Sequence, residues 1–419
     1  MTTTAVREEG PAAVTAAPTL GSHFRSYVSR VRGGDMGALP AVLGLIVLCT
    51  VFAVMRPSFL TAANFANLFT QGAAVTLIAM GLVFVLLLGE IDLSAGFASG
   101  VCAAVLANVA TVLGYPWYVA VLAAVLTGMV IGTTLGMLVA KIGIPSFVVT
   151  LAGFLAFQGI VLLLMEEGRN ISVRDSVLVA IANRNLPPVI GWALAGLAVA
   201  SYAAIQLVRH RTRAARGLVT DPFAVVLARI VGLAAVLGTA VFILNQERSF
   251  NTLINSLKGV PIVVPIIAVL LIVWTFILQR TSYGRHVYAV GGNREAARRA
   301  GINVDRIRIS VFVICSSMAA IGGIVAASRA NSVDPNTGGS NVLLYAVGAA
   351  VIGGTSLFGG KGRVLDAVLG GAVVAVIDNG MGLMGYSSGV KYIVTGVVLL
   401  LAASVDALSR RRAAATGTR

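Results

Sequence analysis

Two carboxylates, Glu90 and Asp92, stand in the stretch Gly89-Glu-Ile-Asp-Leu-Ser-Ala-Gly96, with long apolar runs on both sides. An acidic side chain at mid-membrane costs a few kcal/mol, so this pair either faces water or lines a shielded path. In a helix, a spacing of two would put them on different faces. The plainer alternative is a turn in which Asp92 or Ser94 caps the next helix. Other polar residues fall inside apolar runs: Asn108, Gln158, Asp366, Asp378 and Asn379. They either line a solute path or join neighbouring helices by hydrogen bonds. The sequence leaves both choices open, and the candidate path residues are Glu90, Asp92, Ser94, Asn108, Gln158, Asp378 and Asn379.

Two other patterns imitate catalytic motifs. Gly354-Thr-Ser-Leu-Phe-Gly-Gly-Lys-Gly362 resembles a phosphate-binding loop, but counting back from Lys361 puts Thr355 where the first glycine belongs. Gly362 also replaces the Ser or Thr that would hold magnesium. Gly385-Tyr-Ser-Ser-Gly389 has the spacing of a nucleophile elbow, yet His23, His210 and His286 all precede Ser387 and helical patterns flank it. It reads as a turn. Cys49, Cys102 and Cys315 sit in apolar runs, where a thiol acts as a small hydrophobe, and no metal-ligand spacing occurs. The expectation is a chain with no catalytic residues, no metal site and no cofactor of its own; ATP, if used, is hydrolysed with its magnesium on a partner chain.

The longest polar stretch between apolar runs, 279–308, holds a further candidate. Its centre reads Ala289-Val-Gly-Gly-Asn-Arg-Glu-Ala-Ala-Arg-Arg-Ala-Gly-Ile-Asn-Val304. Gly291 and Gly292 read as a turn, Asn293 as the cap of a short helix from Arg294, and Gly301 as its stop. Ala296, Ala297 and Ala300 among its cations would let another protein surface come close. The alternative is a solvated basic loop that only fixes orientation.

The elements that must carry these residues follow from composition. Of 419 residues, 58% are hydrophobic and 11% charged, against about 25% charged in an ordinary soluble domain. Apolar runs near the roughly 20 residues needed to cross a bilayer recur throughout. They lie at 39–56, 72–89, 93–113, 116–140, 146–165, 189–208, 223–245, 259–278, 309–328, 344–358, 364–382 and 390–408. The fold class is all-α, a polytopic membrane protein with about 12 apolar segments, 10 to 12 of them true spans. The run at 344–358 is short and glycine-rich, and reads as a broken or re-entrant helix. Gly353-Gly-Thr-Ser-Leu-Phe-Gly-Gly360 weakly echoes 89–96. Residues 1–38 read as a disordered tail and not a cleaved signal peptide, and 409–419 as a basic tail.

A net charge of +15 would suggest nucleic acid in a soluble protein. Alternate loops give a better account. With the N-terminus inside, the inner segments hold 22 of the 31 Lys and Arg residues, the outer loops hold 8, and Arg229 lies in a span. By the positive-inside rule both termini are cytoplasmic, and nucleic-acid binding is unnecessary.

The three stretches at 89–96, 289–304 and 353–362, in this order among these spans, resemble the signatures of ribose/xylose-type permeases of ABC sugar importers. The resemblance covers about 40–408. It implies a multi-pass subunit of a prokaryotic inner membrane, usually present in two copies. Its implied partners are a cytoplasmic ATP-binding subunit and an extracytoplasmic sugar-binding protein. The family's ATPase-coupling loop falls on Gly291, Gly292, Asn293, Glu295, Ala296, Ala297 and Gly301. A helix pair inserted near 189–245 departs from the ribose-type core and is similar to the longer xylose branch, which points to a monosaccharide such as xylose or another pentose. Branched-chain amino-acid permeases share the superfamily, so the substrate class stays open. An ion-coupled carrier is the rival mechanism, and it calls for ionisable groups at the midplane.

Overall fold

The computed structural model describes Gly37 and residues 39–415, apart from 167, 219 and 250–255. The expected tail at 1–38 thus falls outside the described residues except for Gly37, as do 416–419. Fifteen α-helices follow one another among the described residues, with a 3-10 turn at Pro57–Leu60 between the first two. They are α1 (Leu39–Met55), α2 (Ala62–Leu87), α3 (Ala95–Ala107), α4 (Trp117–Met137), α5 (Ser146–Leu164), α6 (Ser176–Asn183), α7 (Pro188–Ala215) and α8 (Phe223–Leu244). Then come α9 (Val263–Arg280), α10 (Ser282–Gly292), α11 (Arg294–Arg299), α12 (Val304–Ala330), α13 (Ser340–Ile352), α14 (Val364–Leu383) and α15 (Ser388–Ala415). Two-residue strands β1 (Ile171–Ser172) and β2 (Ser332–Val333) pair antiparallel. Nine helical segments are long and apolar enough to cross a membrane, and three shorter apolar helices accompany them.

Local chemistry explains many boundaries. Pro116, Pro145, Pro187 and Pro222 each immediately precede a helix, where a missing N–H costs nothing. α3 and α4 each end in a π turn, Asn108–Val112 and Leu138–Ile142; the second stops at Gly143, whose φ of 84° suits glycine. α2 begins at Ala62, ten residues before the expected span, with Thr61 capping the Asn64 N–H. Its first turns are polar and broke the apolar pattern. α13 is only 13 residues long; the loop before it rests on α3, with the Thr337 and Gly338 carbonyls against Gly100 and Gly96.

α12 is the axis of the bundle. It packs on α2, α3 and α4, while α14 packs on α2 and α13. Without a hydrophobic drive between helices in lipid, close approach of small residues supplies the contact. Gly128, Gly132 and Gly136 make such a stripe on α4: a Cβ at Gly132 would lie 2.6 Å from the Val313 Cα.

α7 and α8 stand apart. They pack on each other, and only Gly191, Val226, Val241 and Leu244 of the pair are buried. Val241, Leu244 and Val260 form a small apolar patch on Phe65 and Phe69 of α2. The chain leaves and returns at one neck, where the Leu186 N–H donates to the Val260 carbonyl (2.8 Å) and the Ile262 N–H to the Arg184 carbonyl (3.1 Å).

One end of the bundle carries α10, α11, the 88–94 break and the 353–363 loop. Gly37 lies beside Gly354 at this end. α15 starts at the opposite end, where Lys391 meets Asp378 (3.2 Å), and its 28 residues, at 1.5 Å rise each, carry it back. Both described chain ends therefore share the end that bears α11.

Candidate functional site

At the α11 end the three stretches singled out in the sequence become one assembly. Glu90, 5% exposed, accepts from Arg294 Nη2 at 2.8 Å and from Arg308 Nη2 and Nε at 2.7 and 3.0 Å. Arg294 Nη2 also donates to the Leu88 carbonyl at 3.1 Å. One carboxylate thus joins the α2–α3 break, the first residue of α11 and the first turns of α12. The 353–362 loop closes on the same point: the Gly360 N–H donates to the Leu87 carbonyl (2.8 Å) and the Tyr288 hydroxyl to the Gly362 carbonyl (2.8 Å). Gly291 lies against the Leu87 carbonyl with no room for a Cβ.

The 279–308 stretch has caps on three helices. Thr281 accepts from the Gly284 N–H, Asn293 from Ala296 and Asn303 from Arg306. Gly291 and Gly292 are the last residues of α10, a helix missing from the sequence reading, and not a free turn. Gly301 follows α11 with φ of 82°. Ala297 is buried toward the bundle, whereas Gly292, Asn293, Glu295, Ala296 and Gly301 are exposed. Glu295 pairs with Arg298 at 3.4 Å on the surface. Burial pushes the Tyr283 hydroxyl of α10 up to about 12, so it stays protonated as it meets the Ser310 hydroxyl at 2.8 Å.

Asp92 points away from Glu90, into the bundle. It is fully buried beside the Cys315 thiol, and its Oδ1 accepts from the Ser94 N–H (2.9 Å) and hydroxyl (2.6 Å). This is a turn closed by the Asp92 side chain ahead of α3, whose N-cap Ser94 makes no side-chain cap bond; the segment is non-helical, so the spacing of two separates the pair by a turn and not by helix faces.

Toward the opposite end a cavity of about 460 Å³ opens between α2, α3, α12 and α13, within the range of small-molecule sites. Its polar wall comes from Thr70, Gln71, Ser99 and Arg329; Ala74, Ile78, Val325 and Val342 supply apolar wall. The helices close below it. A Cβ on Gly322 would come 2.6 Å from Ile78 Cγ1, and Gly323 lies directly on the Ser99 carbonyl. A second cavity, about 390 Å³ between α1, α2, α9 and α14, is almost wholly apolar and offers a polar solute little to bind.

The other expected path residues scatter. Asn108 donates to the Ala104 and Leu164 carbonyls, both at 3.0 Å, fastening α3 to α5. Gln158 is exposed on α5. Asp378 accepts from Lys391, while Asn379 is buried behind the cavity and donates to Asn64 Oδ1 (2.9 Å) and Gln71 Oε1 (3.1 Å). Sequence reasoning missed Asn64, Thr70 and Gln71 because they precede the apolar part of α2. Arg308 and Arg329 entered it only as loop charges, and Arg294 only as the first residue of a short basic helix.

A family profile described as branched-chain amino acid transport system/permease component matches residues 64–403. The xylose transport system permease protein of Escherichia coli strain K12 is 37% identical over 356 residues, 85% of this chain and 87% of that protein. The Haemophilus influenzae xylose transport system permease protein is 33% identical, over 88% and 96% of the two chains. The ribose import permease protein of Escherichia coli strain K12 is 29% identical, over 87% and 92%. No solved structure matches. An all-helical bundle of membrane-length segments, matched over most of its length, belongs to the branched-chain amino acid transport system/permease component family.

Proposed function

We propose that this chain is the permease subunit of an ATP-binding cassette sugar importer in a prokaryotic inner membrane, moving a pentose, foremost xylose, into the cytoplasm by alternating access. The observation that carries this is mechanical. α2, α3 and α12 wall the polar cavity at one end and, at the other, are bound by Glu90 to the short helix α11. A push on α11 is thereby delivered to the walls of the cavity.

In this reading the α11 end is cytoplasmic, in keeping with its basic loops, and both termini share it. Gly291, Gly292, Asn293, Glu295, Ala296, Ala297 and Gly301 form the coupling element that docks on a partner ATPase, which holds the ATP and magnesium. The exposed residues of α11 offer the contact, and buried Ala297 seats the helix on the bundle. A sugar-binding protein delivers to the opposite end, where the cavity opens, and a second permease copy completes the importer. The identities of 37% and 33% to two xylose permeases, against 29% to the ribose permease, support xylose over ribose.

The test is uptake of labelled xylose by proteoliposomes that hold the permease, its ATPase and the loaded binding protein. Uptake is expected only with ATP inside the ATPase compartment. Uptake driven by a proton or sodium gradient without the ATPase overturns the proposal.

A further inference from the structure

Gln71 lines the 460 Å³ cavity, and its amide is held by a chain of amides that begins behind the wall. Asn64 Nδ2 donates to the Phe59 carbonyl at 3.0 Å. A carbonyl can only accept, so this contact fixes Asn64 with its oxygen turned to Asn379. Asn379 must then present its NH2, and it does, donating one hydrogen to Asn64 Oδ1 at 2.9 Å and the other to Gln71 Oε1 at 3.1 Å. Turning any one amide over would set oxygen against oxygen or NH2 against NH2. Asn64 and Asn379 are 7% and 5% exposed, so water cannot relieve such a clash. The order is therefore fixed from Phe59 to Gln71, and Gln71 is left with its NH2 for the cavity, with no partner for that group among the described residues.

The remaining polar wall is largely committed. The Thr70 hydroxyl donates to the Asn67 carbonyl (3.0 Å) and the Ser99 hydroxyl to the Gly96 carbonyl (2.6 Å). Arg329 at the rim is a donor only. The cavity thus offers directed N–H donors from Gln71 and Arg329, and acceptor lone pairs from the two hydroxyls, within an otherwise apolar wall. That set suits hydroxyl oxygens of a neutral polyol.

We propose that Gln71 is a specificity-determining residue that donates to a hydroxyl oxygen of the transported sugar, and that Asn379 and Asn64 are positioning residues that hold its amide in the donor orientation. This rests on the sugar-importer reading above. The test measures equilibrium binding of xylose and its monodeoxy analogues to the permease–ATPase complex in nanodiscs by ligand-observed NMR, beside ATP-driven xylose uptake.

Wild type is expected to bind at least one deoxy analogue more weakly than xylose. Gln71→Leu should lower xylose affinity about three- to tenfold, the range for one neutral hydrogen bond, and bring xylose level with that analogue. Asn379→Asp replaces the donor by an acceptor, so the Gln71 NH2 turns inward; the same loss of discrimination is expected at nearly unchanged side-chain size. Thr133→Ala, on α4 outside the cavity, where the hydroxyl donates to the Met129 carbonyl, should keep the discrimination. An equal loss across all the sugars, unchanged discrimination in Gln71→Leu, or uptake without measurable binding by wild type overturns the assignment. Failure of the wild type to take up xylose with ATP overturns instead the reading on which it rests.

Discussion

Glu90 ties together segments far apart in the chain at the α11 end. Its partner Arg308 is 14% exposed and Arg294 42% exposed. The two are therefore unequal: removing a carboxylate from a buried guanidinium leaves an uncompensated charge and costs about 3–5 kcal/mol, whereas a half-exposed pair is worth about 1 kcal/mol or less. Glu90→Ala is expected to lower the melting temperature of the detergent-solubilised protein sharply, Arg294→Ala only slightly. Arg294→Ala should nevertheless reduce xylose taken up per ATP hydrolysed in proteoliposomes, because it unties α11 from the α2–α3 break; unchanged coupling would refute that link. The sequence displayed Glu90 and Asp92 as a pair but not their division of labour, since the Glu90 partners lie 204 and 218 residues away. A further carboxylate, Glu247, is held down to about 2 by the Ser256 hydroxyl and then by the Leu257 and Ser249 N–H groups. Stability from this clasp is present above the ordinary carboxylate value and is lost as pH falls through about 2. NMR titration should show that low midpoint, and Ser256→Ala should raise it.

At the scale of elements, membrane-length helices were the legible part of the fold. Long apolar runs, with prolines before α4, α5, α7 and α8, mark elements that lipid and backbone hydrogen bonding demand. The polar start of α2 and the amphipathic α10 were not legible by that rule, because neither is continuously apolar. Both matter: α2 brings Gln71 to the cavity and Asn64 to the amides behind it, and α10 seats Gly291 on the Leu87 carbonyl. The joint between α3 and α12 gives a direct test of helix contact below the cavity. Gly323 faces the Ser99 carbonyl with no space for a side chain, so Gly323→Ala should force the helices apart at about 1–3 kcal/mol. The expected outcome is a lower melting temperature and slower xylose uptake, with Gly196→Ala, at a position open around its would-be Cβ, close to wild type.

For the whole molecule, the count of apolar segments and the grouping of basic loops could be read from where the apolar runs and the charges fall along the chain. The cavity could not, because its wall joins residues from 70 to 342 that share no local pattern. The helix pair α7 and α8 was also visible in advance, but its isolation was not. Deleting 187–259 and joining 186 to 260 by a short linker should leave membrane insertion and ATP-dependent xylose uptake in place, since the phenylalanines uncovered on α2 would meet lipid that is as apolar as the helices removed. Loss of insertion would show that the pair is integral to the bundle. The neck at Leu186 and Val260 also bears on how such a chain can change over generations. An appendage that departs and rejoins across two peptide hydrogen bonds can grow, shrink or vanish in a lineage while the transport apparatus keeps its register, so sequence divergence should concentrate there first.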